Sequence, residues 1–196
     1  MSSTWREKQK AELHQLIYEV SLQLFRTKGY DGTTIDAIVK KAGIAKGTFF
    51  NHFKTKEFVI LEWYRKLMIE TLIWAKAQEH TSIKEAILMP IEEMARRAEA
   101  EPQLIAAKVS SSFTSPLLTD EEKQFDEELS DYFENLIKQG QHNGEIGKQH
   151  QSALMAATIL AVISGTGYEW KSPGTNFSLQ EATRQRVSFV IDASAA

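Results

Sequence analysis

Apolar residues recur along this chain at the three- and four-residue spacing of amphipathic helices, starting near its beginning. Leu13, Ile17 and Leu24 follow this spacing, and Gly29 comes shortly after them. The pattern predicts a first helix from about residue 4 to residue 28, which Gly29 ends because glycine readily adopts positive φ. Strand-like alternation of apolar and polar residues carries little weight anywhere, so the chain is predicted to be all-α.

Two short helices are predicted next, with a tight turn between them. Thr34 is the expected N-cap of the second helix, with Thr33 as the alternative, and Gly43 is expected to end the helix. The third helix is predicted from about residue 45 or 46 to Phe53. Phe49 and Phe53 lie four residues apart in it, so both are expected to face inward.

The rest of the chain is predicted to be helical, with about nine helices in all. The fourth helix is long, and Pro90 is expected to interrupt or bend the fifth. Asn143 and Gly144 separate the seventh from the eighth, which is the most apolar. The fourth and the sixth to ninth helices are predicted at about residues 55–80, 102–112, 118–141, 151–169 and 179–193. The fifth is predicted to be capped by Ser82 or Thr81 and to include Met94.

The charge of the chain is divided unevenly along its 196 residues. The net charge is −3, but residues 1–60 carry ten Lys or Arg and six Asp or Glu, a net charge of +4, which leaves −7 for the remainder. A basic head on an acidic body favours a head that faces a polyanion. Cysteine is absent, the N-terminus lacks an apolar signal core, and the longest apolar stretch is short for a membrane span. A cytoplasmic protein with no membrane partner is therefore expected.

Basic and polar residues gather around the third predicted helix. Lys and His side chains can contact phosphates, whereas Thr, Asn and Phe can reach base edges and the thymine methyl group. A helix pair of this kind docks one helix in the DNA major groove. The alternative is a generic helical pair with core phenylalanines, which accounts for Phe49 and Phe53. It does not account for the outer residues, which are Lys46, Thr48, Asn51, His52, Lys54 and Lys56.

Several motifs in register resemble the DNA-binding head of the TetR family of bacterial transcription regulators. The resemblance covers about residues 9–61, and beyond it only length, helical character and an apolar penultimate helix match. The matching residues are Gly29, Tyr30, Thr33 and Thr34 in the first turn, Ala42, Gly43, Ile44, Gly47 and Thr48 in the second, and Phe50, His52, Phe53 and Lys56 at the end.

The resemblance implies a three-helix helix-turn-helix DNA-binding domain at residues 1–55. It implies an effector-binding and dimerisation domain at residues 56–196, and a double-stranded DNA operator, a small-molecule effector and a second copy as partners. Phe50 stands where the family most often has Tyr, so it lacks a hydroxyl used on phosphate. The DNA-binding positions carried over are Thr34, Lys46, Gly47, Thr48, Phe50, Asn51, His52 and Lys56.

A homodimer is also expected on physical grounds. One short helix reads only a half-site, and two-fold symmetry places two such helices about 34–36 Å apart on a pseudo-palindrome. The last two long helices are the expected partner surface, because small residues there allow close helix approach. The alternative is that these residues pack within the monomer. They are Ala153, Ala156, Ala157, Ala161, Ser164, Gly165 and Gly167.

Aromatic and Met side chains on the later helices favour an apolar or aromatic effector, although such residues are more often plain core. No cofactor and no metal site are expected. His142, Glu145 and His150 flank a glycine break and lack the helical spacing of metal ligands. The candidate effector pocket comprises Trp63, Met68, Trp74, Met94, Phe113, Phe133, Met155 and Trp170.

A ligand-responsive repressor is the leading functional hypothesis. Effector binding would shift the population toward a dimer whose two heads no longer match the half-site spacing. The nearer alternative is a constitutive DNA-binding regulator without an effector. An enzyme is disfavoured because no nucleophile elbow, phosphate-binding glycine loop or zinc motif is present. A helical protein-interaction adaptor would show no salt-dependent DNA affinity.

Overall fold

The computed structural model describes residues 2–114, 119–172 and 174–195, apart from the side chains of residues 2–4, 112–114, 119–122 and 124–126. Within those ranges the chain forms nine helices and no strand, which confirms the predicted all-α class. In chain order they are α1 (Ser2–Lys28), α2 (Ile35–Ala42), α3 (Lys46–Phe50), α4 (Lys56–Lys76), α5 (Ile83–Ala100), α6 (Pro102–Thr114), α7 (Thr119–Asn143), α8 (Ser152–Trp170) and α9 (Leu179–Asp192).

Glycine and a capping threonine set the ends of the first two helices, as predicted. Gly29 and Gly43 have φ of 75° and 69°, the left-handed conformation that other residues rarely adopt. The Thr34 hydroxyl accepts a hydrogen bond from the backbone N–H of Ala37 at 3.1 Å, which satisfies one free donor at the start of α2.

The third helix is shorter than predicted, because α3 ends at Phe50 rather than at Phe53. The backbone N–H of His52 bonds to the carbonyl oxygen of Phe49, three residues earlier, at 2.9 Å. The chain therefore tightens into a 3₁₀-type turn at this point, which is a common way to end a short helix.

The fifth helix runs through Pro90 without a break. Of the two predicted effects of Pro90, the interruption is therefore wrong, and the bend stays a prediction. Pro90 removes one backbone hydrogen bond, but its neighbours Leu88 and Ile91 are buried. Packing of this apolar face overrides the local cost of proline. The fourth helix ends at Lys76, a few residues before the predicted end near His80.

The first compact unit comprises Met1–Tyr64 and Glu101–Leu118. In this unit α1 packs against α2 and α6, and α2 packs against α3. The guanidinium of Arg26 on α1 donates two hydrogen bonds to the carboxylate of Glu101, at 2.9 and 2.7 Å, next to the start of α6. The fully buried side chains of the unit include Ile17, Phe25, Ile38, Phe49 and Leu104.

The second compact unit comprises Arg65–Ala100 and Thr119–Ala196. In it α5 packs against α7 and α9, and α8 packs against α7 and α9. Two carboxylates cap helix starts from a distance. Glu145 accepts a hydrogen bond from the N–H of Ile83 at 2.7 Å, and Glu99 accepts one from the N–H of Leu179 at 2.5 Å. The apolar cluster of this unit includes Ile83, Ile87, Ile91, Phe133, Ile137, Met155, Ile159, Val187 and Ile191.

Candidate nucleic-acid interface

The candidate interface is formed by α2, a tight turn and α3. The turn is made by Gly43, whose N–H bonds back to the carbonyl oxygen of Val39, and it ends at Ala45, which is extended, before α3 begins. Phe49 and Phe53 are both buried, which confirms the prediction that they face inward. Because two aromatic side chains fix one face of this segment in the core, the opposite face must point outward.

The outward face carries most of the predicted DNA-contacting residues. Lys46, Gly47, Phe50 and Asn51 are exposed, and so is Thr34 at the start of α2. Phe50 is 47% exposed, so part of its aromatic ring is accessible on this face. Thr48 and His52 are half-buried at the edge of this face. The structure therefore brings the predicted residues of α3 together on one accessible surface.

An ion pair crosses this surface between the two helices. The ammonium Nζ of Lys46 lies 2.9 Å from Oδ1 of Asp36 on α2, and both side chains are largely exposed. An exposed ion pair of this kind contributes little to stability, so the Lys46 ammonium can leave Asp36 at little cost to contact another anion. The sequence pattern did not single out Asp36, because an acidic residue in the first turn of a helix is ordinary.

Lys56, at the start of α4, has a more constrained position than a surface contact residue. Its ammonium donates hydrogen bonds to the carbonyl oxygens of Tyr30 and Thr33, at 2.8 and 3.1 Å. It also lies 4.1 Å from the centre of the Tyr30 ring. An ammonium has three donors, so these two bonds leave one for another acceptor. Lys56 therefore fastens the turn before α2, and a phosphate contact by it stays a prediction.

A second contact reinforces the same turn. The Tyr30 hydroxyl donates to Oε1 of Glu57 at 2.7 Å. Burial together with this carboxylate raises the pKa of Tyr30 far above its usual value, so the hydroxyl stays protonated. Burial alone would raise the pKa of Glu57, but hydrogen bonds, including that from Tyr30, and the charge of Lys56 hold it below its usual range. Two consecutive residues at the start of α4 thus hold the turn before α2.

His52 lies two residues after the end of α3, next to His14 of α1. Its ring centre is 5.7 Å from that of His14, which stacks on Phe53 at 4.4 Å. Burial lowers the pKa of His52 below 6.5, and the neighbouring charges of His14 and Lys10 lower it further. The neutral imidazole is therefore favoured in the free protein, and a ring N–H of this form can still donate a hydrogen bond to a phosphate.

The residues predicted for an effector pocket do not surround one described cavity. Phe133 and Met155 meet in the apolar cluster of the second unit. Trp63, which belongs to the first unit, is buried, as are Met68 and Met94. Trp74 and Trp170 are half-buried, and the side chain of Phe113 lies outside the described residues. The pocket assignment therefore stays a prediction.

An open groove of about 640 Å³ lies between α8 and α9. No sequence pattern pointed to it, because small and polar residues at a helix surface are unremarkable. Arg186 spans it, with its guanidinium 2.7 Å from the Glu169 carboxylate and 3.1 Å from the Thr166 hydroxyl. The lining residues are Val162, Gly165, Thr166, Glu169, Gln185, Arg186, Phe189 and Val190.

The described residues include no group of three or more His, Asp or Glu side chains placed to hold a metal ion. Among His142, Glu145 and His150, the Glu145 carboxylate already accepts a hydrogen bond from the N–H of Ile83. Among the described helices, none combines the length and apolar character that crossing a bilayer would need.

Comparison with known proteins identifies the helix-turn-helix segment. Residues 17–62 match the family model described as bacterial regulatory proteins, tetR family. This segment belongs to the tetR family of bacterial regulatory proteins. The match includes every candidate DNA-contacting residue of α2, α3 and the start of α4.

Curated relatives match over part of the chain. The HTH-type transcriptional regulator YvdT of Bacillus subtilis is 34% identical over 73 residues, which are 37% of this chain and 38% of that protein. The HTH-type transcriptional regulator QacR of Staphylococcus aureus is 39% identical over 72 residues, 37% of each chain. The matched stretches span 17% to 38% of the length of the curated relatives.

Solved structures match over nearly the whole chain. FadR of Thermus thermophilus, a TetR-family transcriptional repressor in complex with lauroyl-CoA, superposes with a TM-score of 0.74, at 19% identity, over 93% of this chain and 95% of that one. FadR of Bacillus subtilis, in complex with stearoyl-CoA, gives a TM-score of 0.74 at 18% identity, over 90% and 97%. At these identities the likeness shows a shared fold.

Proposed function

We propose that this tetR-family chain is a ligand-responsive transcriptional repressor that binds a pseudo-palindromic operator as a homodimer. Residues 1–55 form the DNA-binding domain, and residues 56–196 bind an effector and form the dimer. The exposed face of α3 carries this proposal. Lys46, Asn51 and Phe50 are exposed there, and the buried Phe49 on the opposite face of the helix fixes its orientation.

In this proposal, the residues of the exposed face divide into two roles. Thr48 and Asn51 contact base edges, and Phe50 presents an apolar ring to a thymine methyl group. Lys46 and Thr34 contact phosphates, which position the helix but carry no sequence information. Gly47 lets the backbone approach the DNA, since a Cβ there would meet nothing within the protein.

The exposed surface of α8 and α9 supports the dimer. Leu154, Tyr168 and Phe189 are 62%, 57% and 74% exposed, although all three are large and apolar. Between Ser152 and Tyr168, α8 has no charged residue. Exposed apolar residues without interspersed charge are typical of a surface that a partner covers.

An apolar effector is supported by the composition of the second unit, where Phe133 and Met155 lie among buried aliphatic residues. Fatty acyl-CoA compounds are the first probes to test. Two structural relatives contain lauroyl-CoA and stearoyl-CoA, and a curated relative, 30% identical over 61 residues, is a fatty acid metabolism regulator. A rise in melting temperature with ligand would argue against the alternative of a regulator without an effector.

Selection of bound sequences from random double-stranded DNA is the experiment that tests DNA binding. We expect a palindromic consensus, with log affinity falling by about 0.9 per phosphate contacted for each tenfold rise in salt. Asn51→Ala should relax base preference at one position in each half-site. Lys138→Gln, in the second unit, is the control. No enrichment, from protein refolded after removal of bound ligands, would refute the proposal.

The dimer is tested by sedimentation of α8 variants. Ala161 is exposed in the uncharged stretch, so Ala161→Glu would place a charge in the proposed partner surface. We expect the wild type to sediment as a dimer and this variant as a monomer. Ala77→Glu makes the same change at an exposed alanine after α4 and should remain dimeric. A dimeric Ala161→Glu variant would place the partner surface elsewhere.

A further inference from the structure

A row of basic residues runs along the first half of α1. Arg6, Lys10 and His14 are spaced four residues apart, so they lie on the same side of the helix. At a rise of about 1.5 Å per residue, the row is about 12 Å long. Every residue from 5 to 12 is exposed, so this part of α1 extends beyond the packed core.

The row continues directly from the candidate interface. His14, its inner member, stacks on Phe53 at 4.4 Å and lies 5.7 Å from the ring centre of His52. The charge of Lys10 lowers the pKa of His52, which is consistent with an ammonium near that imidazole. His14 also contacts Glu62, with Nε2 2.8 Å from Oε2, so its ring position is fixed by α4 as well.

The two outer cations of the row are available to a partner. Neither Arg6 nor Lys10 forms an ion pair within the part of the chain that the structure describes, although Glu7 is close in sequence. Lys8 differs, because it pairs with Glu12 at 3.9 Å. Two residues from Lys10 correspond to a rotation of about 200° around an α-helix, so Lys8 faces away from the row.

We propose that Arg6 and Lys10 bind backbone phosphates of the operator and extend each half-site contact beyond α3. This inference rests on the proposed DNA-binding function. Arg6 and Lys10 lie about 6 Å apart along the helix, which matches the rise of about two nucleotides of one strand along the DNA axis, at about 3.4 Å each. In this proposal Arg6 and Lys10 contact phosphates and no base edges. Because phosphates are the same at every base pair, the contact increases affinity without adding base preference.

Salt-dependent titration of the selected operator duplex tests this contact. The double variant Arg6→Gln, Lys10→Gln should reduce the slope of log affinity against log salt by about 1.8. The double variant should therefore lose most affinity relative to wild type at low salt. The ratio of wild-type to variant affinity should fall about tenfold between 50 and 200 mM salt. The consensus sequence should not change.

Lys8→Gln is the matched control, because it removes one charge from the same exposed segment on the other side of the helix. Its slope should match wild type, and Lys10→Gln alone should lower the slope by about 0.9. Neutral methylphosphonate groups can replace the operator phosphates one at a time. At the phosphates that Arg6 and Lys10 contact, this replacement should lower the affinity of the wild type but not that of the double variant.

Equal slopes for wild type and the double variant would overturn the inference while leaving DNA binding intact. Equal losses from Lys8→Gln and Lys10→Gln would also overturn it, because general charge rather than the row would then be responsible. A wild type that binds no DNA would instead refute the proposed function. Melting temperatures of all variants should match, since every substituted residue is exposed.

Discussion

The ammonium of Lys56 lies 2.8 Å from the carbonyl oxygen of Tyr30, 26 residues earlier in the chain. A second bond to the carbonyl oxygen of Thr33 fixes the same turn. These contacts connect the start of α4 to the backbone just before α2, so the orientation of the helix-turn-helix depends on them.

Removing this ammonium should destabilise the protein. We expect Lys56→Met to lower the free energy of unfolding by about 1.5–3 kcal/mol, the usual range for charge-assisted hydrogen bonds. Urea unfolding at pH 7 measures the change, and Lys40→Met, at an exposed position of α2, should stay within about 0.5 kcal/mol. Unchanged stability with a salt slope reduced by about 0.9 would mean that Lys56 contacts phosphate alone.

Removing the acidic partner of Lys46 should tighten DNA binding. Asp36→Asn frees the ammonium and takes a negative charge from the candidate interface. We expect about fivefold higher operator affinity at low salt, equivalent to about 1 kcal/mol. Stability should change by less than about 0.5 kcal/mol because the pair is exposed. In a Lys46→Gln background the gain should be smaller; weaker binding by Asp36→Asn would contradict this reading.

Removing the carboxylate cap of α9 should destabilise the second unit. Oε1 of Glu99 accepts hydrogen bonds from the Ser178 hydroxyl and from the N–H groups of Leu179 and Gln180. Glu99→Ala should cost about 1–2 kcal/mol of unfolding free energy, as for loss of a helix cap. Glu99→Gln keeps an acceptor and should cost less. Equal costs for both variants would assign the effect to charge alone.

Two glycine substitutions should have opposite effects on stability. A Cβ on Gly140 would lie 2.8 Å from Cδ1 of the buried Ile146, so Gly140→Ala should cost about 1–3 kcal/mol. A Cβ on Gly47 would meet nothing, so Gly47→Ala should stabilise α3 by about 0.5–1 kcal/mol. The same Gly47 variant should bind the operator more weakly. Thermal unfolding and operator titration measure the two effects, and a destabilised Gly47→Ala would contradict the second.

Stability should fall at acid pH partly through Glu93. Hydrogen bonds from Arg96 hold the pKa of this buried carboxyl below its usual 4.5, against the effect of burial, and Arg97 adds to this. Because the folded-state pKa is depressed, the contribution is present above pH 4.5 and is lost as pH falls through the folded-state pKa. Glu93→Gln should therefore be less stable than wild type at pH 7, and the gap should narrow below pH 4.5. Glu128→Gln, at an exposed position of α7, should parallel wild type throughout.

The sequence predicted the helices and the inner face of the motif because those depend on local rules. Gly43 and Thr34 set helix ends through their own backbone and hydroxyl chemistry, and the four-residue spacing of Phe49 and Phe53 placed both in the core. The end of α3 was not predicted, because a tight turn after Phe50 depends on three-dimensional packing rather than on a breaker residue.

The contacts between segments that are distant in the chain could not be predicted from the sequence either. Lys56 looked like a free cation, yet it bonds to carbonyl groups in another turn. His52 matched a phosphate-contacting position, yet burial lowers its pKa, and its neighbour His14 on α1 lowers it further. Periodicity identifies which face of a helix is buried, but it does not identify which residues meet there.

The first compact unit is not continuous in sequence, because it includes Glu101–Leu118 of a later segment. A gene fragment that ends near residue 64 therefore lacks the carboxylate that holds Arg26 and the buried Leu104 of α6. Recombination that exchanged such fragments between regulators would yield a folded hybrid only where the recipient supplied an equivalent sixth helix. The exchange of DNA-binding domains in evolution is thus constrained by the packing surface of α6, which is encoded well downstream of the helix-turn-helix.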